Sequence, residues 1–161
     1  MAYNDRNVIL EDVRIIFRNF AGKESPKNRA GARTFNVLLD DDTAERLSRD
    51  GWNVKWLKPR DEGDPAQAHL PVTVSYKIRP PRILLVTGQG RTNLDEDTVE
   101  MLDWVDIRNV DLTISPSHWE MDGNTGIKAY LRSIFVTIEE DALDRKYADL
   151  EQVPSRSGRI Q

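Results

Sequence analysis

Apolar residues along this chain recur mostly at every second position, the period of a half-buried strand, rather than at every third or fourth. In VRIIF, Val13, Ile15 and Phe17 fall on one face, and Arg14 and Arg18 flank Ile16 on the other. RTFNVLL sets Phe35, Val37 and Leu39 against Thr34, Asn36 and Leu38. Between the two runs, AGKESPKNRAGA is built of turn formers and reads as a long hairpin loop. Alternation returns in WNVKWLK, LPVTVSY, RILLVT and DIRNVDLTIS. It is longest in IKAYLRSIFVTIEE, where Tyr130, Ile134, Val136 and Ile138 share a face opposite Leu131 and Phe135. Pro71 marks LPVTVSY as an edge strand or a strand start. GQGRTN reads as a turn, and DGN, residues 122–124, as a tight hairpin turn.

Two segments break the alternation toward helix. DDDTAERLSRDG has acids and Thr at its start and Gly51 at its end, which caps it at both ends. LDEDTVEMLDW places acids in its first turn, where the helix dipole favours them, with Val99, Leu102 and Trp104 facing the core. DALDRKYADLEQ reads as a short acidic helix or tail, and VPSRSGRIQ has too little to bury to be ordered. The expectation is about seven strands and two or three short helices. So few helices cannot cover both faces of a parallel sheet, so the fold class is mostly β, an antiparallel barrel or sandwich.

A chain of 161 residues fits one domain, expected over residues 1–151, with 152–161 as a tail. There is no cysteine, which excludes disulfides, zinc–thiolate sites and cysteine nucleophiles. No apolar run reaches the roughly 20 residues needed to span a bilayer, and the N-terminus lacks a signal-peptide pattern. A soluble protein of the cytoplasm, without membrane contact, is expected. His69 and His118 have no partner at a catalytic spacing. Asp40, Asp41 and Asp42, with Asp61, Glu62 and Asp64, are the best candidates for a magnesium cage and hence a nuclease. They lie in predicted caps and loops, where acids serve local needs. GQGRTN lacks the Lys-Ser/Thr of a phosphate-binding loop. No catalytic residue, metal or cofactor is assigned, and the chain is expected not to be an enzyme.

Charge changes the picture. The net charge is −4, yet residues 13–37 carry Arg14, Arg18, Lys23, Lys27, Arg29 and Arg33 against Glu24 alone. Residues 74–94 carry Lys77, Arg79, Arg82 and Arg91 with no acid. Residues 95–106 and 139–151 are dominated by acids. Charge runs are often no more than solvated surface, but here they interleave with rings. A single strand needs cations along its backbone and aromatic faces for its unpaired bases. Phe20 lies beside the loop cations, Lys55 beside Trp52 and Trp56, Tyr76 beside Lys77, and Tyr130 on the longest strand. Trp52 and Trp56 read as core, Phe20 as exposed. Screening at cellular salt limits charge effects to about 8–10 Å, so a basic groove can work on an acidic body.

The basic strand EDVRIIFRNFAGKE, its Pro/Gly loop, the strand RTFNVLL and the acidic segment TIEEDALDRKYADLE together resemble small single-stranded-DNA-binding proteins of bacteriophage replication and recombination modules. The resemblance spans about residues 8–151. It implies an OB-like β-barrel, elaborated because the strand count exceeds five. It also implies sequence-tolerant coating of exposed strands in the cytoplasm of a bacterial host, with Arg14, Arg18, Phe20, Lys23, Lys27, Arg29 and Arg33 in contact with DNA. Acidic segment 139–151 would then recruit replication or recombination proteins, or occupy the groove when DNA is absent. Cellular relatives end such a tail in Phe, whereas this chain reads RSGRIQ. Edge strands offer a route to homo-oligomers. The rival reading is a β-rich phage interaction or assembly module, in which the basic blocks meet an acidic protein.

Overall fold

The computed structural model describes residues 6–26, 28–59, 61–77 and 79–139. Lys27, the acidic segment beyond Glu139 and the last ten residues lie outside them. The described residues form strands β1 (Val8–Val13), β2 (Ile15–Asn19), β3 (Arg33–Leu39), β4 (Lys55–Leu57), β5 (Gln67–Val74), β6 (Arg82–Thr87), β7 (Gly90–Leu94), β8 (Ile107–Met121) and β9 (Asn124–Ile138). Helix α1 (Asp41–Asp50) follows β3, and a 3-10 segment, Val99–Asp103, precedes β8.

The sheet runs in the order β1-β8-β9-β5-β3-β2, with β4 added to β5, and the β6–β7 hairpin added to β9. The two ends of this path, β1 and β2, are consecutive stretches of chain separated only by Arg14, whose carbonyl accepts from the Leu38 N–H at 2.9 Å. One bent strand thus meets β8 with its first half and β3 with its second, and the fold is OB-like. Most pairs are antiparallel, as expected, while β9 also runs parallel to β5 and β6.

Inward residues of each strand meet in one core. Phe35 and Val37 of β3, Leu70 and Val72 of β5, Leu112 and Ile114 of β8, and Ile127, Ile134 and Val136 of β9 are fully buried or nearly so. Phe20 stacks on Phe35 at 5.0 Å within this core. α1 forms where predicted, because its ends are satisfied. Asp40 accepts from the Thr43 N–H at 2.7 Å, which holds its carboxyl below the usual range. Gly51, at φ 104°, turns the chain so that its own N–H and that of Trp52 reach the last carbonyls. Asp122 and Gly123, both at positive φ, make the tight turn between β8 and β9 that DGN predicts.

Two bulges overturn the face assignments. Thr113 pairs with Ser133 and Ile114 with Leu131, so Arg132 is the extra residue on β9. One inserted residue exchanges the faces, so Leu131 joins the core and Tyr130 points outward, not inward with Ile134. A second slip lies between Ile16 and Asn19 of β2. There Phe17 adopts φ 52°, a left-handed conformation that costs a non-glycine residue about 1–2 kcal/mol, and its ring is 59% exposed.

Other expectations need correction for similar local reasons. Pro71 is in the middle of a central strand. Opposite β3, β5 pairs with β4 only through Gln67–His69 and with β9 only at Val72 and Thr73, so Pro71 falls between two partners where no donor is needed. The second half of GQGRTN is strand β7, paired along β6. LDEDTVEMLDW yields only the short 3-10 segment, and Trp104 is exposed rather than core. Trp52 is buried as expected, whereas Trp56 is exposed.

Candidate nucleic-acid interface

The loop between β2 and β3 carries Lys23 and Arg29 of the first basic block, and hydrogen bonds from its backbone and from two Asn side chains hold it in shape. The Asn19 side chain accepts from the Lys23 N–H and donates to the Lys23 carbonyl. Gly31 donates to Gly22 at 2.7 Å; Gly22 sits at φ 72°, and a Cβ there would press on the Gly31 backbone at 3.1 Å, so the crossing favours glycine. The Asn28 side-chain amide donates to the carbonyls of Lys23, Arg29 and Ala32.

The root of the loop is tied to the acidic stretch after β7. Asp103 accepts from the N–H groups of Phe20 (2.7 Å) and Ala21 (3.1 Å). Arg18 donates to the carbonyls of Leu102 and Val105, each at 2.8 Å. Arg33 donates to the Phe20 carbonyl and pairs with Glu96 at 3.4 Å. The expected exposure of Phe20 is thereby corrected. Phe20 is wholly buried, so no base can reach its ring. One guanidinium nitrogen of Arg18 caps two backbone carbonyls and tethers the strand, while the residue also lines the hollow it shares with Arg14.

Beside this loop lies a groove of about 580 Å³ between β3, the end of β5 and β9. It gathers Arg29, Arg33, Tyr76, Lys77 and Tyr130, drawn from both basic blocks and β9, together with Lys128. Arg33 lies over the Tyr76 ring at 5.6 Å, and Lys128 over the Tyr130 ring at 5.3 Å. Burial pushes the Tyr76 hydroxyl's pKa up, against the pull of Arg33, and among the described residues its oxygen has no hydrogen-bond partner. Tyr76 therefore braces Arg33, while Tyr130, paired opposite Thr73, faces outward. Sequence reasoning missed Lys128. It sits two positions before Tyr130 and so on the same face, a signal that the correct register would have exposed.

From the groove an outward face continues across β3, β5 and β4. Paired residues share a face, so Thr34 lies beside Thr73, Asn36 beside Pro71, and His69 beside Lys55. His69 Nδ1 is 2.7 Å from Asn36 Oδ1, and Phe17 meets the His69 ring edge-to-face at 5.9 Å. Burial first, and Lys55 second, lower the His69 pKa, so the ring is neutral at pH 7.

The remaining sequence candidates are not in the groove. Arg82 and Arg91 lie over Phe135 at 5.8 and 5.5 Å on the outer side of β6 and β9. Arg14 shares a hollow of about 320 Å³ with Arg18, Asp106 and Arg108. Lys23 lies over the exposed Trp104 at 5.5 Å. Lys55 is exposed on β4, and Arg79 is exposed in the β5–β6 connection. Among the described residues no three acidic or histidine side chains converge as a metal site would require, and Asp40 is occupied as a helix cap.

The fold has counterparts among solved structures. The single-stranded DNA-binding protein from bacteriophage Enc34 in complex with ssDNA superimposes with a TM-score of 0.55 at 12% identity, over 84% of this chain and 88% of that one. Its C-terminally truncated form gives 0.54 at 12% identity, over 84% and 87%. The single-stranded DNA binding protein gp2.5 of bacteriophage T7 aligns over 92% of this chain and 94% of its own, at 10% identity and a TM-score of 0.42. No curated protein matches the chain in sequence. Family membership rests on sequence: residues 2–161 match the model of the phage ssDNA-binding domain, a non-enzymatic binding family, and the chain belongs to it.

Proposed function

We propose that this chain coats single-stranded DNA without regard to sequence, in the replication or recombination of a phage genome within the host cytoplasm. The observation that carries the reading is the groove. Cations and rings far apart in sequence meet there, on a molecule whose net charge is −4. Arg29, Lys77 and Lys128 are exposed and neutralise phosphates, and Arg33 adds charge held in place by Glu96 and Tyr76. Tyr130 offers a face to an unpaired base. Neither interaction reads base identity, because every nucleotide has a phosphate and every base a π-face. Single-stranded DNA in the Enc34 protein's structure supports the assignment.

Lys55, Arg82, Arg91, Arg14, Lys23 and Arg79 lie outside the groove and are further candidates for phosphates beyond it. Segment 139–151, largely outside the described residues, is the part available to recruit replication or recombination proteins. Self-association through strand edges is a further expectation that rests on the sheet alone. Among the described residues no helix is long and apolar enough to cross a membrane.

Titration of oligo-dT against the intrinsic Trp fluorescence, at several salt concentrations, tests the reading. Saturable quenching that weakens linearly in log salt, by about 0.7 per phosphate contacted, is the expected result. Equal affinity for duplex of the same length, or no salt dependence, would overturn it.

A further inference from the structure

Phe17 is out of place for a residue of an OB-like strand. Continued alternation from Val13 and Ile15 would turn it inward, and both of those side chains do pack against the core. Instead the register slip between Ile16 and Asn19, with φ 52° at Phe17 itself, keeps the ring on the outside. The chain thus gives up burial of a large apolar ring and accepts a backbone conformation that L-residues avoid. Such an arrangement persists only where surrounding structure enforces it, and it points to a use for the exposed ring. The surroundings suggest which use. One side of the ring is propped by His69, which Asn36 pins in turn. The cation across from His69 is Lys55, exposed and without an ion pair among the described residues. Neighbours on this face are uncharged: Asn36, Thr34, Pro71 and Thr73. An aromatic face beside an exposed cation, with uncharged residues between, suits a stacked base with its phosphate.

We infer that Phe17 is a base-stacking platform which, with Lys55, forms a second subsite for the DNA strand, separate from the groove at Tyr130. The inference rests on the single-stranded-DNA reading above. Thr73, at the groove, and His69, under Phe17, are four positions apart on β5, about 13 Å at strand rise. That step is short beside the roughly 4–16 nucleotides that one fold of this kind occupies.

The left-handed backbone supplies the test. Phe17→Gly removes the ring and relieves the strained φ together, so a platform predicts weaker binding without loss of stability. Oligo-dT affinity of the full chain should fall roughly 5- to 150-fold, the range for loss of one stacked base. Affinity for an abasic strand of equal length should not change, and the melting temperature should hold or rise. Phe17→Trp should retain affinity, and Phe17→Leu, which keeps apolar bulk without a ring face, should lose it. Unchanged dT affinity in Phe17→Gly overturns the inference, as does an equal loss on the abasic strand. If Phe17→Gly melts early while Phe17→Leu binds like the parent, the ring serves the fold instead. Should the parent chain itself fail to bind oligo-dT, the functional reading falls, and this inference with it. A parent that binds alongside an unaffected Phe17→Gly sinks the second subsite alone.

Discussion

Lys128 and Tyr130 stand two residues apart on one face of β9, in contact with each other, yet they are expected to fail in different ways when removed. Lys128 acts through charge. If each of the three exposed groove cations, Arg29, Lys77 and Lys128, meets one phosphate, together they contribute about −2.1 to the slope of log affinity against log salt. Between 50 and 200 mM salt that weakens binding about 18-fold. Lys128→Ala removes one contact, so the groove's share falls to about −1.4 and the loss over the same range to about 7-fold. Tyr130→Ala removes a stacking surface instead. It should lower affinity by about 1–3 kcal/mol, or roughly 5- to 150-fold, and leave the slope unchanged. Because the ammonium lies 5.3 Å from the ring centroid, the double variant should lose less than the sum of the two, with a coupling of about 0.5–1 kcal/mol. Fluorescence or anisotropy titrations of oligo-dT at four or more salt concentrations measure both quantities. A Lys128→Ala slope equal to the parent's would show that no phosphate sits there, and a changed slope in Tyr130→Ala would show that the ring acts by holding cations.

Phe20→Ala should destabilise the fold by about 3–5 kcal/mol in denaturant titration, because the ring is wholly buried against Phe35; a neutral result would contradict its place in the core. His69 has a folded pKa below its unfolded value, so the stability it contributes is present above about pH 6.5. As pH falls below that value, the unfolded chain takes up the proton first and stability declines; denaturation midpoints from pH 8 to pH 5 should show the decline, and His69→Gln should flatten it. Deleting residues 140–161 should tighten oligo-dT binding at low salt if the acidic segment competes for the groove, and unchanged affinity would remove the competition.

Features fixed by neighbouring residues were legible in the sequence. Asp40 and Gly51 bounded α1 correctly, and Asp-Gly at 122–123 fixed the β8–β9 turn, because caps and tight turns are decided within a few residues. Features that depend on a partner strand were not. A bulge adds one residue and leaves no mark in the pattern, so Tyr130 and Phe17 were assigned to the wrong faces. β7 was hidden because exposed, polar residues Gly90–Asn93 resemble a turn until β6 is set beside them. The groove was legible in part. Arg29, Arg33, Tyr76, Lys77 and Tyr130 converge, but local charge could not show that Arg18 would be drawn to the carbonyls of Leu102 and Val105, about 85 positions away along the chain.

The glycine crossing and the Asn28 amide in the β2–β3 loop have a consequence for how tightly a strand is held. A loose basic loop would have to be ordered on contact, at about 1–2 kcal/mol per backbone residue, drawn from the gain in phosphate and base contacts. Here the Gly22–Gly31 and Asn28 hydrogen bonds incur that entropy loss when the protein folds. On the proposed function a strand would meet a surface ordered in advance, and more of each contact's energy would be left for affinity.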